Sequence, residues 1–253
     1  VKAIGVIPAR WGATRFEGKV LANLLGKPVI QHVWENAKKA KTLDDLVVAC
    51  DDERILKAVE RFGGKAVYTS PNQPSGTDRL AEVVNAMNID IAVNIQGDEP
   101  LMKPIMIDNL VMALQEEKVA GMATIVKKIE DDSELTNSNV VKVIIDKNGY
   151  AIYFSRYAIP YNRTNGTDSK KRPTYYKHIG LYAFTKDFLF TFKKLPNSSL
   201  ENAEKLEQLR AIEYGYKIKV VETKFDTVGV DRPEDLKKAE ALLLREQENQ
   251  SSD

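Results

Sequence analysis

The 253-residue chain has little of several things, and each shortage removes a class of protein. It has one cysteine, Cys50, so it can form neither an internal disulfide nor a cysteine-rich zinc site. Cys50 closes the apolar run LVVAC, where an inert core thiol is expected. Its histidines are two, His32 and His178. They offer no zinc spacing, and no Ser–His–Asp or Cys–His set has a recognisable context. His32 falls in a helical stretch and reads as surface or core filler. Apolar runs stay well short of the roughly eighteen residues of a membrane span. The opening run Val1–Ile7 is too short for a signal peptide, and Arg10 follows it directly. The formal charge is +1, which gives no bulk electrostatic pull toward nucleic acid or an anionic membrane. A reducing cytoplasm is expected, with no membrane or nucleic-acid partner.

What the chain does have is an alternation of short apolar runs with helical periodicity. Lys2–Pro8, Asp45–Cys50, Lys65–Thr69 and Asp90–Gln96 read as strands. Apolar residues at Val29, Ile30, Val33, Trp34 and Ala37, then Glu53–Phe62 ending at Gly63-Gly64, read as helices. This pattern predicts an α/β fold, Rossmann-like, with a mostly parallel central sheet flanked by helices. Helix is further expected over Pro104–Lys118 and strand over Gly121–Lys128. Asp131–Asn139 reads as a polar connector. Val140–Asp146 and Tyr150–Ser155, joined by Lys147-Asn148-Gly149, then predict an antiparallel hairpin. The chain is therefore expected to be a single domain, with a main lobe of about 1–130 and 215–248 and a smaller antiparallel second lobe of about 131–214. In the second lobe, 162–172 is polar and basic, a candidate lid. Lys177–Phe184 alternates like a strand that would put His178, Gly180 and Tyr182 on one face. Leu200–Tyr214 reads as one charged helix with a stripe of Leu206, Leu209 and Ile212, and Tyr216–Thr223 as a strand.

In parallel sheets, ligands bind beyond the carboxyl ends of the strands, and the chemistry-bearing residues fall there. The first strand empties into Ala9–Lys19, where Arg10, Arg15 and Lys19 could hold a phosphate chain through charge-assisted hydrogen bonds. The loop is neither a Walker motif, since five residues separate Gly12 from Gly18 and Val20 follows Lys19, nor a GxGxxG fingerprint. A solvated surface loop is the plain alternative. Ser75–Asp78 supplies N-cap chemistry. Asp98, just past a buried strand and beside Gly97, could bind a hard cation bridging phosphates, or cap the next helix. Asp231 precedes Arg232-Pro233 and reads as an N-cap.

These stretches, in order, resemble one family. IPARWGATRFEGK, SGTDRLAE, NIQGDEP, YFSRxxIP, HIGxYAF, LEQLR and GVDRPEDL are similar to motifs of the CTP-using sugar nucleotidyltransferases, the 3-deoxy-manno-octulosonate (Kdo) cytidylyltransferases above all. The chain departs from the family pattern at Ala13, where Ser is usual, and at Glu17, where Pro is usual. The resemblance implies a Mg²⁺-dependent transfer of CMP from CTP to the anomeric hydroxyl of Kdo, releasing pyrophosphate, in lipopolysaccharide biosynthesis. It implies that Ala9, Arg10, Arg15, Lys19, Ser75, Gly76, Arg79 and Gln96 bind the nucleotide. Gln96, Arg156, His178, Tyr182, Glu207 and Gln208 would bind the sugar acid. Asp98 and Asp231 would hold one or two Mg²⁺ ions, and Lys19 and Arg10 would act with them in catalysis, while Glu99 is structural. It also implies a homodimer formed through the second lobe. A sialic-acid-type cytidylyltransferase and a non-catalytic nucleotide-binding protein on the same fold are the alternatives.

Overall fold

A computed structural model describes residues 1–12, 15–163 and 173–250. Ala13, the greater part of the candidate lid with Lys170, Lys171 and Arg172, and the last three residues lie outside the described residues. The chain divides into two compact units, Val1–Val111 with Asp226–Asp253, and Met112–Phe225. The second unit is thus larger than the 131–214 lobe drawn from the sequence.

In the first unit, β1 (Ala3–Ala9), β4 (Asp45–Cys50), β5 (Ala66–Tyr68) and β6 (Ile91–Asn94) form a parallel array in the order β6-β1-β4-β5. β1 pairs on both sides, Ile4 standing opposite Asp45 and also opposite Ala92. Both of its faces are buried, which is why its sequence is a continuous apolar run and not an alternation. Helices α1 (Val29–Ala37), α2 (Glu53–Arg61) and α3 (Gly76–Val84) pack against these strands. Each has a local reason to start where it does. Asp52 caps α2 by accepting from the Arg54 N–H, and Ser75 caps α3 by accepting from the Asp78 N–H. Cys50 is fully buried, and burial pushes its thiol up to about 11, so it is the inert core thiol expected. His32 is spent on the Leu24 carbonyl at 2.7 Å.

The connection from β1 to α1 runs through a 3₁₀ turn (Lys19–Leu21) and a two-stranded hairpin, β2 (Asn23–Leu24) with β3 (Lys27–Pro28). Under it lies a small apolar cluster of Leu24, Val29, Leu101, Val230 and Ala239. The last residue belongs to α9 (Pro233–Gln250), so burial of α9 ties residues beyond 226 to the opening stretch.

The chain enters the second unit within α4 (Pro104–Glu116). There β7 (Met122–Lys128) pairs in parallel with β11 (Ile218–Thr223) and antiparallel with β10 (Tyr176–Thr185). β8 (Lys142–Ile145) and β9 (Ala151–Ser155) form the expected antiparallel hairpin, and β8 also pairs with β10. Two expectations are corrected, and one stretch left unassigned by the sequence pattern is a helix. The 131–139 connector contains a short helix, α5 (Ser133–Thr136). β10 is followed by α6 (Lys186–Lys194), which the charged ends of KDFLFTFKK obscure but which buries Phe188, Leu189 and Phe192. The single helix over Leu200–Tyr214 is two, α7 (Ser199–Glu204) and α8 (Leu209–Glu213). The break falls at Lys205, in the left-handed region at φ 55. Arg210 grips Glu201 across it with bonds of 2.7 and 2.5 Å, and that fork–fork pair holds the two helices at a corner that a continuous helix could not make. On β10, a bulge between Ile179 and Tyr182 interrupts the strict alternation expected of His178, Gly180 and Tyr182.

Lys205 is exposed and carries the cost of a left-handed non-glycine residue. Lys205→Gly is expected to stabilise the protein by about 1 kcal/mol, read as an upward shift of the urea midpoint with unchanged slope.

Candidate active site

The first unit gathers its strand-end loops around a cavity of about 370 Å³, lined by Pro8, Arg10, Gly12, Arg15, Lys19, Val20, Gly76, Gln96, Gly97, Asp98 and Asp231. Close backbone approach makes this possible. A Cβ on Gly97 would stand 2.8 Å from the Pro8 carbonyl oxygen, so the loops after β1 and β6 can meet only with glycine there. The stretch after residue 226 is joined by the Val230 N–H, which donates to the Asp98 carbonyl at 2.8 Å. Glu99 hydrogen-bonds Thr227, and burial with the adjacent Asp98 charge pushes its carboxyl up to about 8. Glu99 therefore ties one loop to another, as a structural residue does.

At the cavity wall the Lys19 ammonium bridges two carboxylates. It donates to Asp98 Oδ2 and, at 2.8 Å, to Asp231 Oδ1. Arg15 donates to the other oxygen of Asp231 at 3.1 Å. Burial would depress the Lys19 pKa, but the two carboxylates outweigh it and hold the ammonium above its ordinary value. Burial likewise opposes ionisation of Asp231, and the bond from Lys19 overcomes it, so the carboxyl is held below the usual range. Both Asp231 oxygens are thus engaged with cations, which corrects the N-cap expectation. The cap of α9 comes from Asp235, whose Oδ2 accepts from the N–H groups of Asp231 and Arg232 at 3.1 and 2.9 Å.

The donor set suits a divalent cation. Two carboxylates already share one positive charge between them, and a hard cation such as Mg²⁺ takes one or two carboxylates while phosphate oxygens and waters complete its shell. Among the described residues, no three His, Cys, Asp or Glu side chains cluster as a self-sufficient metal cage.

Of the other expected nucleotide residues, Gly76 and Gln96 line the cavity, while Ala9 is buried in the last position of β1. Ser75 is engaged in capping, its hydroxyl donating to Asp78 Oδ2 at 2.8 Å. Arg79 does not line the cavity. It is 0% exposed, bonded to Thr69 and, at 3.0 Å, to Asp51. Asp51 in turn accepts the Trp11 N–H at 3.0 Å. The sequence placed two aspartates after β4 but offered no signal to separate Asp51, a partly buried strut of the opening loop, from Asp52, the helix cap.

Of the expected sugar residues, Gln96 lies in the first unit at the cavity, and the other five belong to the second unit. Arg156 spends its guanidinium on backbone carbonyls, Nε to Glu204 at 2.8 Å and Nη1 to Ser138 at 3.1 Å. Its own N–H donates to Glu204 Oε2, and its carbonyl accepts from the fully buried Lys142 ammonium at 2.7 Å. Glu204 and Lys142 went unremarked in the sequence, because the first sits in a charged helix and the second in an otherwise ordinary strand. His178 Nε2 lies 2.9 Å from Thr124 Oγ1, which also lies 2.9 Å from the Leu181 carbonyl oxygen. The imidazole packs edge-on to Phe154 and 5.3 Å from the Tyr182 ring. Gln208 is buried, not on a solvated face, while Glu207 stays partly exposed.

A phosphate-shaped loop of cations facing paired carboxylates defines a nucleotidyltransferase kind of site, and the comparisons with known proteins agree. The profile of the Cytidylyltransferase family matches residues 4–218. A 3-deoxy-manno-octulosonate cytidylyltransferase of Solibacter usitatus is 49% identical, with 96% of this chain and 94% of the relative covered. An 8-amino-3,8-dideoxy-manno-octulosonate cytidylyltransferase of Shewanella pealeana is 51% identical over 94% of this chain and 97% of the relative. The solved structure of CMP:2-keto-3-deoxy-manno-octonic acid synthetase complexed with CTP matches with a TM-score of 0.90 and 40% identity, covering 97% of this chain and 100% of that one. The chain belongs to the cytidylyltransferase family, on its manno-octulosonate branch.

Burial drops the His178 pKa from 6.5 to about 3. The unfolded chain binds this proton below about 6.5 while the folded one does not, so acid favours unfolding progressively between those two values. In NMR titration His178 is expected to keep neutral imidazole shifts from pH 8 to pH 5; an inflection of His178 near 6.5 would contradict this.

Proposed function

We propose that this protein transfers CMP from CTP to the anomeric hydroxyl of Kdo, releasing pyrophosphate. The observation that carries the proposal is the Lys19 ammonium held between Asp98 and Asp231 at the wall of a cavity that Arg10 and Arg15 also face. Phosphoryl chemistry of this type needs positioning and charge neutralisation more than a covalent nucleophile. Lys19, Arg10 and Arg15 hold the triphosphate. Lys19 stays protonated throughout the physiological range because its carboxylate partners raise its pKa, so it acts as a fixed positive charge and not as a base. Gly76 and Gln96 shape the nucleotide end of the cavity. Asp98 and Asp231 would hold Mg²⁺, which when bound would supply charge neutralisation on the phosphates and ease ionisation of the attacking hydroxyl. In the second unit, Arg156, His178, Tyr182, Glu207 and Gln208 bind the sugar acid, a planar guanidinium suiting its carboxylate.

The second reading is the 8-amino sugar acid, favoured by the relative of Shewanella pealeana that carries that name at 51% identity. A homodimer built through the second unit and a cytoplasmic location complete the proposal; light scattering and cell fractionation check them.

Pyrophosphate release measured with each of four nucleoside triphosphates against Kdo, its 8-amino analogue and a sialic acid is expected to select CTP and Kdo. Preference for another base or sugar acid would reject the assignment. Asp98→Asn is expected to lower turnover by more than about a hundredfold with unchanged circular dichroism. Near-normal turnover in saturating Mg²⁺ would remove Asp98 from the mechanism.

A further inference from the structure

The loop that carries Arg15 and Lys19 faces a physical problem of its own. Three cations, Arg10, Arg15 and Lys19, sit within ten residues, and Glu17 is the only carboxylate among Ala9–Lys19. Like charges this close drive a surface loop apart unless something else closes it. The closure is visible in the contacts of Trp11. Its indole Nε1 donates to Glu17 Oε1 at 2.6 Å. Its ring lies under the Arg54 guanidinium, with Cζ 3.4 Å from the ring centroid. Arg54 cannot swing away easily, because its fork is held by both oxygens of Asp52, at 2.8 and 2.6 Å. The backbone of Trp11 is fixed from the other side, its N–H donating to Asp51 at 3.0 Å and its carbonyl accepting from the Gly18 N–H at 3.0 Å.

Gly18 completes the arrangement. It has φ 66, and a Cβ there would stand 2.8 Å from the Trp11 ring. It also precedes the Lys19–Leu21 turn, whose Leu21 N–H donates to the Gly18 carbonyl at 2.8 Å. Lys19 is therefore presented by a turn whose preceding residue, Gly18, stands against the Trp11 indole. A change at Trp11 or Glu17 reaches the bridging ammonium through a single residue.

We propose that Trp11, Glu17 and Arg54 form a clasp that positions Arg15 and Lys19 for the nucleotide's phosphates. These are positioning residues: none of them lines the cavity. Glu17 acts through an acceptor oxygen and through its charge beside Arg54, and Trp11 acts through its N–H and its ring face. The clasp lowers the entropy lost when the loop closes on a polyphosphate, so it acts on nucleotide binding and leaves the chemical step alone. This inference rests on the nucleotide-binding role proposed above.

The test compares wild type with Glu17→Ala, Trp11→Phe, the double variant and Glu17→Gln, each first checked for an unchanged melting temperature. CTP binding is measured by calorimetry, and steady-state kinetics are run with CTP and the sugar acid varied in turn. Glu17→Ala and Trp11→Phe are each expected to weaken CTP binding and raise its KM by about fivefold, the discounted worth of one charge-assisted bond near the surface. The kcat and the KM of the sugar acid should stay within about twofold of wild type, which a general loss of fold would not allow. The double variant should be no worse than either single one, since both remove the same bond. Glu17→Gln, which keeps the acceptor, should recover most of the affinity. Equal CTP affinity in all five proteins, or additive losses in the double variant, overturns the clasp. If wild type binds no CTP, the functional reading fails by itself, and the clasp is still judged in free protein. Acrylamide quenching of Trp11, isolated against a Trp11→Phe background, should rise in Glu17→Ala; unchanged quenching overturns it.

Discussion

Two ionised carboxylates cannot stand side by side in a half-buried site without a cation between them, and the first unit is arranged around that constraint. Asp98 comes from the loop after β6 and Asp231 from the approach to α9, lying 79 and 212 residues from Lys19. One ammonium gathers them. The union stands on packing done elsewhere. The apolar cluster of Leu24, Val29, Leu101, Val230 and Ala239 fixes the approach to α9 against the opening stretch, and the Val230 N–H to Asp98 carbonyl bond sets the local register. The attraction of Lys19 for each acid is softened by solvent, since the Asp231 side chain is 45% exposed. That softness suits a site whose cation must exchange partners with phosphate oxygens and a metal.

Behind the cavity wall lies a layer of buried charge. Arg79 is fully buried against Asp51 and Thr69, and burial drags its pKa down despite the Asp51 charge. A buried guanidinium is retained only where its partners are fixed; here the same Asp51 holds the opening loop by the Trp11 N–H. The second unit repeats the device. Lys142, with no exposed surface, spends its ammonium on the carbonyls of Asn137, Val140 and Arg156. Glu204 holds the Ser155 hydroxyl and the Arg156 N–H. Both units therefore brace candidate binding residues with buried or half-buried ions, bonded to side chains around Arg79 and to backbone around Lys142.

Local pattern was a good guide wherever one element is specified by its own residues. β1, β4 and β6 are continuous apolar runs because both faces are covered, and they were recognisable as such. The cap at Ser75 follows from a side chain that reaches only three residues ahead. The pattern misled where long-range bonds decide. Leu200–Tyr214 has helical spacing throughout, yet the Arg210–Glu201 pair and the left-handed Lys205 fold it into a corner. Asp231 has the local look of a cap, but cations from the first nineteen residues claim both of its oxygens, and Asp235 takes over the cap.

The alternation of runs and helical stripes, and the family motifs spread from the first strand to GVDRPEDL, were determined by the sequence alone, because periodicity and short motifs are local properties of a chain. Which acid meets which cation was decided only by the tertiary structure. Arg79, which the resemblance implied beside the base, is buried against Asp51 and Thr69, while Trp11 and Glu17 had no evident use and became neighbours of the site. Such pairings depend on where distant backbone segments come to rest, and that is set by the packing of apolar surface across the whole unit, not by any residue's nearest neighbours in sequence.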